Sequence, residues 1–393
     1  MNVYLDYQAT TPLDPRVLDV MLPYFCDVFG NAASTSHEPG RMAGRAVARA
    51  RQQVADLIGA DPLSIVFTSG ATESINLALK GLALHDTGKR RHFISCRAEH
   101  PAVLDTCADL ETRGYKGTYL IVNEEGHLDL DQIRKAITPN TLFISLMFAN
   151  NEVGVIHDIA EIGAIAKEKG VFFHCDGAQA VGKEWIDVDS LGIDLLSISG
   201  HKFYGPKGVG ALYVRRRNPR VRLLPLMHGG GHERTFRSGT LNVPGIVGLG
   251  KACELASFLM DDEHERLKEL RGMFLEGLKK EDASFVVNGD LDRRLAGNLN
   301  IRFPGVPAAR MLEALPELSM SMGSACSSAI PSPSKVLLGM GLTPDEAAES
   351  MRLSFGRPTT PEEVVYAAKK MAVVSRTLAT LGGTGEQDIS CSL

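Results

Sequence analysis

The sequence lacks the features that mark membrane, secreted and nucleic-acid-binding proteins. No run approaches the ~18–20 consecutive apolar residues that a membrane helix needs, and the seven cysteines include no C-x-x-C pair. These absences argue against a membrane span, a disulfide framework and a thiolate zinc site, and they favour a reducing compartment such as the cytoplasm. The longest basic run is Arg215 to Arg217 in a chain of net charge −5, so we expect no nucleic-acid partner.

The composition that is present is that of a globular protein. Hydrophobic residues make up 44% of the 393 residues and charged residues 23%, which are ordinary values for folded domains. A chain of this length predicts two or three domains with at least one large core.

The middle of the chain alternates short apolar runs with helix-length amphipathic segments. The apolar runs lie at residues 65–67, 92–96, 119–122, 142–148, 171–175, 195–199 and 211–214. The helical segments between them include residues 72–84, 101–113 and 159–169. This alternation predicts an α/β fold with a mainly parallel seven-stranded sheet between helices.

The rest of the chain predicts a second, smaller α+β domain. Its pattern is a long helix from about Pro244 to Glu281 with a break near Asp261 and Asp262, two short strands at 285–287 and 299–303, and helices at 308–315 and 361–381. We therefore expect a large domain over residues 15–250. Residues 1–14 and 251–381 would form the small domain, and residues 382–393 a flexible tail rich in glycine and serine.

Two motifs that suggest other ligands do not fit their patterns. Gly177 to Glu184 matches a phosphate loop until Glu184, which stands where a Ser or Thr hydroxyl must bind magnesium. His228 and His232 are separated by three glycines, which argue against a helix that presents both to zinc. We expect no resident metal.

Lys202 lies directly after one of the predicted strands. The segment SGHKFYGPKG contains glycines and a proline that stop regular structure, so Lys202 stands just beyond the carboxyl end of the strand, where open α/β sheets bind ligands. A surface charge is the alternative interpretation, and spacing does not choose between Lys202 and Lys207.

Asp176 directly follows the preceding predicted strand, 171–175. It could be an ordinary helix cap. However, pyridoxal phosphate needs an amine for a Schiff base and an acid for its ring nitrogen, and Lys202 and Asp176 supply both groups from consecutive strand ends.

The segment Thr68 to Glu73 lies between a predicted strand and a predicted helix. Backbone N–H groups at a helix start, together with the helix dipole, favour an anion such as a phosphate. An ordinary N-cap with Glu73 in the first turn is the alternative.

Ten motifs, taken together, resemble the pyridoxal-phosphate-dependent cysteine desulfurases, in this order over residues 4–357. They are YLDYQATTP, FTSGATES, EHPAVL, NNEVG, CDGAQAVGK, SGHKFYGPKGVGALY, MHGGGHE, RSGT, GSACSS and MRLSFGR. Within that family the chain is similar to the housekeeping and nitrogen-fixation type, which serves iron-sulfur cluster assembly. The resemblance implies the aminotransferase-like architecture of fold type I, bound pyridoxal 5'-phosphate and L-cysteine as substrate.

The resemblance also implies how the cofactor ring is held. Lys202 would carry the cofactor as a Schiff base, Asp176 would pair with the ring nitrogen, and Gln179 would hydrogen-bond the ring hydroxyl oxygen. His100 would stack on the ring and relay protons.

Further positions would bind the phosphate and the substrate. The phosphate ligands implied are Ala71, Thr72, Ser199, His201 and, from a second subunit, Thr240. Asn151 would lie near cofactor and substrate, and Arg352 would clamp the substrate carboxylate with its planar guanidinium. The contribution of Thr240 implies a homodimer.

Cys326 is the residue that the resemblance makes distinctive. It stands in the stretch Ser319 to Ser334, in which glycine, serine, alanine and proline dominate, so we expect a mobile segment. Composition alone would allow an incidental free thiol, but the match to GSAC(S/T)S implies a nucleophile. Its thiolate would attack the substrate sulfur, keep it as a persulfide while alanine leaves, and pass it to an acceptor protein. Cys326 could also be a transient iron-sulfur ligand.

Three alternatives remain open at this stage. A selenocysteine lyase or related lyase would share every cofactor residue, and a non-enzymatic adaptor could keep the fold. The sulfur-mobilisation type of desulfurase usually has a shorter cysteine loop with a basic-Gly-His pattern, which is absent here.

The sequence does not choose among a cluster scaffold, a tRNA thiolation enzyme and a DNA-modification enzyme as sulfur acceptor. Because longer relatives carry a C-terminal extension that docks the scaffold, the short tail makes such docking doubtful.

Overall fold

The structure is a computed structural model that describes residues 1–86, 89–323 and 333–382. Within these ranges the strands are β1 (Val3–Tyr4), β2 (Ile65–Thr68), β3 (His92–Cys96), β4 (Lys116–Leu120), β5 (Thr141–Met147), β6 (Phe172–Asp176), β7 (Leu195–Ser199), β8 (Gly210–Val214), β9 (Val286–Val287), β10 (Asn298–Arg302), β11 (Leu318–Ser319) and β12 (Ser350–Ser354). The helices are α1 (Pro15–Met21), α2 (Pro23–Cys26), α3 (Glu38–Leu57), α4 (Ala71–His85), α5 (Pro101–Thr112), α6 (Leu130–Ala136), α7 (Ile159–Lys169), α8 (Val243–Lys280), α9 (Ala308–Ala314), α10 (Lys335–Gly339), α11 (Pro344–Ala348) and α12 (Pro361–Gly382).

A seven-stranded sheet forms the centre of the larger part of the chain. Its strand order is β2-β8-β7-β6-β5-β3-β4, and every pairing is parallel except those of β8, which runs antiparallel to β2 and to β7. The predicted mainly parallel sheet is confirmed. Because β2, β3, β5, β6 and β7 all point the same way, the loops after them meet at one edge of the sheet.

Apolar helices cover both faces of this sheet. On one face α3, α7 and α8 pack residues such as Val47, Ile162 and Leu249 into a continuous core. On the other face α4 and α5 bury Ile75 and Val103. Strands that are apolar on both sides must be covered on both sides, which explains why β3, β5 and β7 are buried along their whole length.

The long helix α8 is unbroken, and the break predicted near Asp261 and Asp262 is wrong. An Asp costs at most ~0.7 kcal/mol relative to Ala in a helix, whereas Met260 before the pair and Leu270 after it are both buried and hold the helix against the core. The most apolar window of α8 is long and apolar enough to cross a membrane, but 61% of it is buried inside the protein. We interpret α8 as a core helix.

A second core lies under two small sheets. β10 pairs antiparallel with β9 and β12, and β1 pairs in parallel with β11. Val3 and Leu5 from the N-terminus pack in the same cluster as Leu299 and Met351. The chain then leaves this core and enters the carboxyl edge of the large sheet, where the backbone N–H of Thr11 donates to the carbonyl of His201 at 2.9 Å. The N-terminal segment therefore connects the two cores.

Candidate active site

One cavity of about 450 Å³ opens at the carboxyl edge of the large sheet. Its volume lies in the range of small-molecule and cofactor sites. The structure brings most of the predicted site residues into its wall: Ala71, Thr72, His100, Asn151, Asp176, Gln179, Ser199, His201, Lys202 and Arg352.

Lys202 lies in the single 3-10 turn that follows β7. Its Nζ atom donates to the carbonyl oxygens of Gln8 and Ala9, each at 2.8 Å. Lys207 also lines the cavity, from an exposed position. Lys202 is thus the lysine that the N-terminal segment holds in a defined place.

Asp176 is the last residue of β6 and is buried. One carboxylate oxygen, Oδ1, accepts from the backbone N–H of Ala178 at 3.0 Å. Burial raises the pKa of Asp176, while that backbone hydrogen bond and the charges of His100 and Lys202 act in the opposite direction. A cation placed beside this carboxylate would be strongly favoured, because it would offset the cost of burying the charge.

His100 caps helix α5 and also lines the cavity. Its Nδ1 atom accepts from the backbone N–H of Ala102 at 3.1 Å, so the neutral ring carries its proton on Nε2. Burial lowers the pKa of His100, which favours this neutral form. The two interpretations of this histidine, helix cap and site residue, are therefore compatible.

The start of α4 forms the end of the cavity that suits an anion. Gly70 is its N-cap residue, and among the described residues no side chain caps this helix end. Gly70 has a φ of 150°, and a Cβ on the neighbouring Gly210 would lie 2.7 Å from the Gly70 Cα atom. Only glycines allow this backbone conformation and this close approach. The backbone N–H groups of the first turn consequently remain available to a phosphate.

Glu73 supports this loop in part as an ordinary cap would. Its Oε2 atom accepts from the backbone N–H of Ser69 at 2.7 Å, and Oε1 accepts from Arg237 at 2.8 Å. On the facing side of the cavity, His201 donates to or accepts from Thr10 at 3.0 Å through Nδ1. Burial, followed by the charge of Lys202, lowers the pKa of His201 to about 4.

Arg352 reaches the cavity from β12, on the second core. It is 1% exposed, and its guanidinium donates to the carbonyl of Asn151 at 2.9 Å and to Asp6 at 2.6 Å. Within the described ranges its Nε atom has no hydrogen-bond partner. The arginine is thus held in one orientation with donor capacity to spare.

Two predicted residues are not brought to the cavity by the described chain. Thr240 is exposed and does not line it, and Cys326 lies in 324–332, outside the described residues. Both flanks of that segment are attached near the cavity: Ser321 donates to Asp6 at 2.8 Å, and Ser334 donates to Glu152 at 2.5 Å. Of the other cysteines, Cys26 is exposed, Cys96, Cys107, Cys175 and Cys253 are buried, and Cys391 lies outside the described residues.

Sequence reasoning missed the part that the N-terminus plays. Gln8, Ala9 and Thr10 line the cavity, and Asp6 pairs with Arg352. The motif YLDYQATTP contains these residues, but its polar, aperiodic pattern gave no indication of their contacts. Lys183 was missed as well, because it lies in a motif that appeared to be a failed phosphate loop.

Comparison with known proteins shows the family to which the chain belongs. The model of the family described as Aminotransferase class-V matches residues 3–366. A protein named cysteine desulfurase IscS from Anaeromyxobacter sp. (strain K) is 53% identical over 93% of this chain and 91% of its own length. The IscS of Dechloromonas aromatica (strain RCB) is also 53% identical, over 94% of this chain and 91% of its own length.

Solved structures are similar over most of the chain. A structure named NifS-like protein has a TM-score of 0.89 and 35% identity, and the match covers 96% of this chain and 100% of that one. A structure of SspA in complex with cysteine has a TM-score of 0.80 and 39% identity, with 90% and 98% covered. The chain belongs to the class-V aminotransferase family and, within it, to the cysteine desulfurases.

Proposed function

We propose that the protein is a pyridoxal-phosphate-dependent enzyme that converts L-cysteine to L-alanine and transfers the sulfur as a persulfide on Cys326. The observation that carries the proposal is the meeting of Lys202, Asp176 and Arg352 in the wall of one cavity. An amine, a buried acid and a buried guanidinium are the groups that an amino-acid substrate and this cofactor require. The relatives named cysteine desulfurase support the choice of substrate.

The residues of the cavity fit the cofactor at three points. The uncapped start of α4 offers N–H donors to the phosphate, the buried Asp176 carboxylate suits a protonated ring nitrogen, and Lys202 offers an amine. Ala71, Thr72, Ser199 and His201 would surround the phosphate, and His100 would lie against the ring. When bound, pyridoxal phosphate supplies an aldehyde for the amine and an electron sink for cleavage at the substrate Cα atom.

Arg352 would bind the substrate carboxylate. Its guanidinium is already oriented by Asp6 and by the Asn151 carbonyl, so little side-chain entropy is lost when a second carboxylate binds. Asn151 would lie beside the bound substrate, because its backbone carbonyl accepts from the same guanidinium.

Lys202 Nζ would then take the proton from the substrate Cα atom. The partial burial of its side chain and the donor contacts to two carbonyls hold the amine at the cavity, where a proton acceptor for the substrate is needed. His100, neutral and protonated on Nε2, would hold a second proton within the cavity.

Cys326, which is not among the described residues, would complete the reaction. Its thiolate attacks the sulfur of L-cysteine, so that an S–S bond forms while the C–S bond of the substrate breaks. The electron pair of that bond stays with the three-carbon fragment, which is protonated and leaves as alanine. The persulfide then passes to an acceptor, for which we infer a protein of iron-sulfur cluster assembly or of thiolation.

The assembly and location follow as further proposals. We infer a homodimer in which Thr240, exposed in one chain, adds to the phosphate site of the partner. We infer a cytoplasmic enzyme, because a free thiol nucleophile works in a reducing compartment. The limits of the large domain stay a prediction, since α8 runs through residue 250 without interruption.

Incubation of the purified protein with L-cysteine tests this function. We expect equal amounts of alanine and transferable sulfur, with an added sulfur on the Cys326 peptide by mass spectrometry. Alanine formation from L-selenocysteine alone would favour the selenocysteine lyase instead. A colourless protein that forms no product from either substrate would favour the non-enzymatic adaptor.

A further inference from the structure

A lysine outside the cavity wall contacts one of the residues inside it. Lys183 lies in the turn after β6, and its Nζ atom is 3.4 Å from Oε1 of Gln179. The other end of the Gln179 amide, Nε2, donates to the carbonyl of Gln8 at 3.1 Å. Gln179 is buried, so water does not readily replace either of these two hydrogen-bond partners.

When Lys183 is protonated, these two contacts favour one orientation of the amide. An ammonium group has donors and no acceptor, so only the oxygen of the amide can face it favourably. The Gln8 carbonyl accepts and cannot donate, so only the NH₂ group can face it. Rotation of the amide by 180° would bring donor against donor and acceptor against acceptor, and both contacts would become repulsive.

The Gln8 carbonyl also connects this amide to Lys202. The Nζ atom of Lys202 donates to the same oxygen at 2.8 Å. The NH₂ group of Gln179 and the amine of Lys202 therefore converge on one atom. In pyridoxal phosphate the ring hydroxyl is on the carbon adjacent to the one that bears the aldehyde, so the Gln179 NH₂ group would be placed to donate to that hydroxyl oxygen if the cofactor bonds Lys202.

We propose that Lys183 is a positioning residue that fixes the Gln179 amide with its NH₂ group toward the cofactor hydroxyl. The inference rests on the proposed function, because it needs the cofactor to bind beside Lys202. Without Lys183 the amide could turn, and its oxygen would then oppose an oxygen of the ring. Both residues belong to the motif CDGAQAVGK, which resembles a phosphate loop in sequence. In this proposal the lysine of the motif orients the glutamine four residues before it.

The charges around Lys183 bear on how its effect must be measured. Burial and the charge of Lys202 lower the pKa of Lys183 to about 7, the charge of Arg352 acts in the same direction, and Glu184 and Glu263 oppose them. Loss of this positive charge would change the pKa of every titratable group in the cavity electrostatically, whether or not the Gln179 amide rotates. The decisive quantity is therefore the dependence of the Lys183 effect on Gln179.

A double-mutant cycle isolates that dependence. Lys183→Met, Gln179→Leu, the double variant and the wild type are loaded with pyridoxal phosphate, and two quantities are measured: the dissociation constant of the cofactor and the pH midpoint of its visible absorbance. We expect Lys183→Met to weaken cofactor binding about tenfold, or 1.4 kcal/mol, and to move the midpoint. In the Gln179→Leu background, Lys183→Met should hardly change the dissociation constant of the cofactor. The pH midpoint should then move only by the electrostatic effect of the lost charge. Lys183→Arg, which keeps a cation without an acceptor, should behave like the wild type.

Each result has a distinct meaning. Equal effects of Lys183→Met in both backgrounds, or no effect in either, would overturn the positioning role and leave the proposed function intact. A wild type that binds no cofactor would overturn both. Thermal unfolding of the four proteins shows whether each remains folded, and if Lys183→Met does not fold, Lys183→Leu, which also has no donor, takes its place in the same cycle.

Discussion

Arg352 and Asp6 form an ion pair across 2.6 Å, 346 positions apart in the chain. The arginine side chain is 2% exposed and the aspartate 13%. The second oxygen of Asp6 accepts from Ser321 at 2.8 Å, immediately before the segment that carries Cys326. One carboxylate of the N-terminal motif thus binds both the proposed substrate-binding arginine and Ser321.

Replacement of Asp6 by Asn should weaken substrate binding. The guanidinium would keep a hydrogen-bond acceptor but lose the charged partner that holds its orientation, so the substrate carboxylate would have to order the side chain when it binds. We expect the KM for L-cysteine to rise about tenfold, equal to 1.4 kcal/mol, with a smaller change in kcat. Because a buried charge without a partner is costly, the free energy of unfolding in urea should fall by about 3–5 kcal/mol. Glu168→Gln, in the exposed pair with Arg134, is the matched control and should cost less than ~1 kcal/mol. An unchanged KM in Asp6→Asn would contradict the role of this pair.

Replacement of Gly70 by Ala tests the anion site at the start of α4. The nearest atom to an added Cβ is the Ser199 hydroxyl oxygen at 3.9 Å, so space is available, and the cost comes from a φ of 150°. A non-glycine residue in this region costs about 1–3 kcal/mol. If the first turn moves to relieve this strain, the affinity for pyridoxal phosphate should fall about tenfold or more, as measured by fluorescence titration. Gly272→Ala, in open space on α8, should retain the affinity. Equal affinities of the two variants would argue against a phosphate at α4.

His157 should make stability depend on pH. It is buried, its Nδ1 atom has no partner among the described residues, and burial lowers its pKa from 6.5 to about 4. Below pH 6.5 the unfolded chain binds a proton that the folded chain does not, so the free energy of unfolding decreases as the pH falls toward 4. One such group contributes a slope of up to about 1.4 kcal/mol per pH unit. His157→Gln should remove that slope in urea unfolding between pH 6.5 and 4, whereas replacement of the exposed His228 should not. Parallel curves for wild type and His157→Gln would refute this assignment.

Replacement of Cys326 by Ser separates cofactor binding from sulfur transfer. A serine hydroxyl is a much weaker nucleophile toward sulfur and cannot store a persulfide. We expect the variant to fold, to bind the cofactor and L-cysteine, and to release alanine only at background level without a persulfide in mass spectrometry. Cys26→Ser, at an exposed cysteine, should keep most of the activity, as should Cys391→Ser and Cys96→Ser. Near-normal alanine release from Cys326→Ser would favour a lyase that needs no thiol.

The large sheet could be predicted because its strands are apolar on both faces. The ends of β3 and β7 agree with the sequence pattern, and β5 and β6 differ from it by one residue at each end. The strand β4 begins three residues earlier than predicted and ends at Leu120. It lies at the edge of the sheet, where Lys116 and Thr118 can be polar without loss. The positions of Lys202 and Asp176 followed from the same pattern, since Asp176 ends β6 and Lys202 lies three residues after the end of β7.

The contacts that cross the chain could not be predicted in this way. The strand β12 contains serine, methionine and a fully buried arginine, which no strand pattern favours, and Asp6 from the far end of the chain compensates that charge. The continuity of α8 depends on apolar contacts on both sides of Asp261, and the helix propensities of the local residues give no information on such tertiary contacts. The role of the contact between Lys183 and Gln179 could not be predicted for a related reason. It depends on the Gln8 carbonyl, which is 171 positions away in the chain and is brought near only by the fold.

The central claim is that Lys202 is the amine that binds the cofactor, and chemical trapping tests it most directly. The holoenzyme is reduced with sodium borohydride, digested and analysed by mass spectrometry for a pyridoxyl-modified lysine. We expect the modification on the peptide that contains Lys202 and its loss, together with the yellow colour, in Lys202→Ala. Modification of Lys207 or Lys183 in the wild type, with colour retained in Lys202→Ala, would contradict the account.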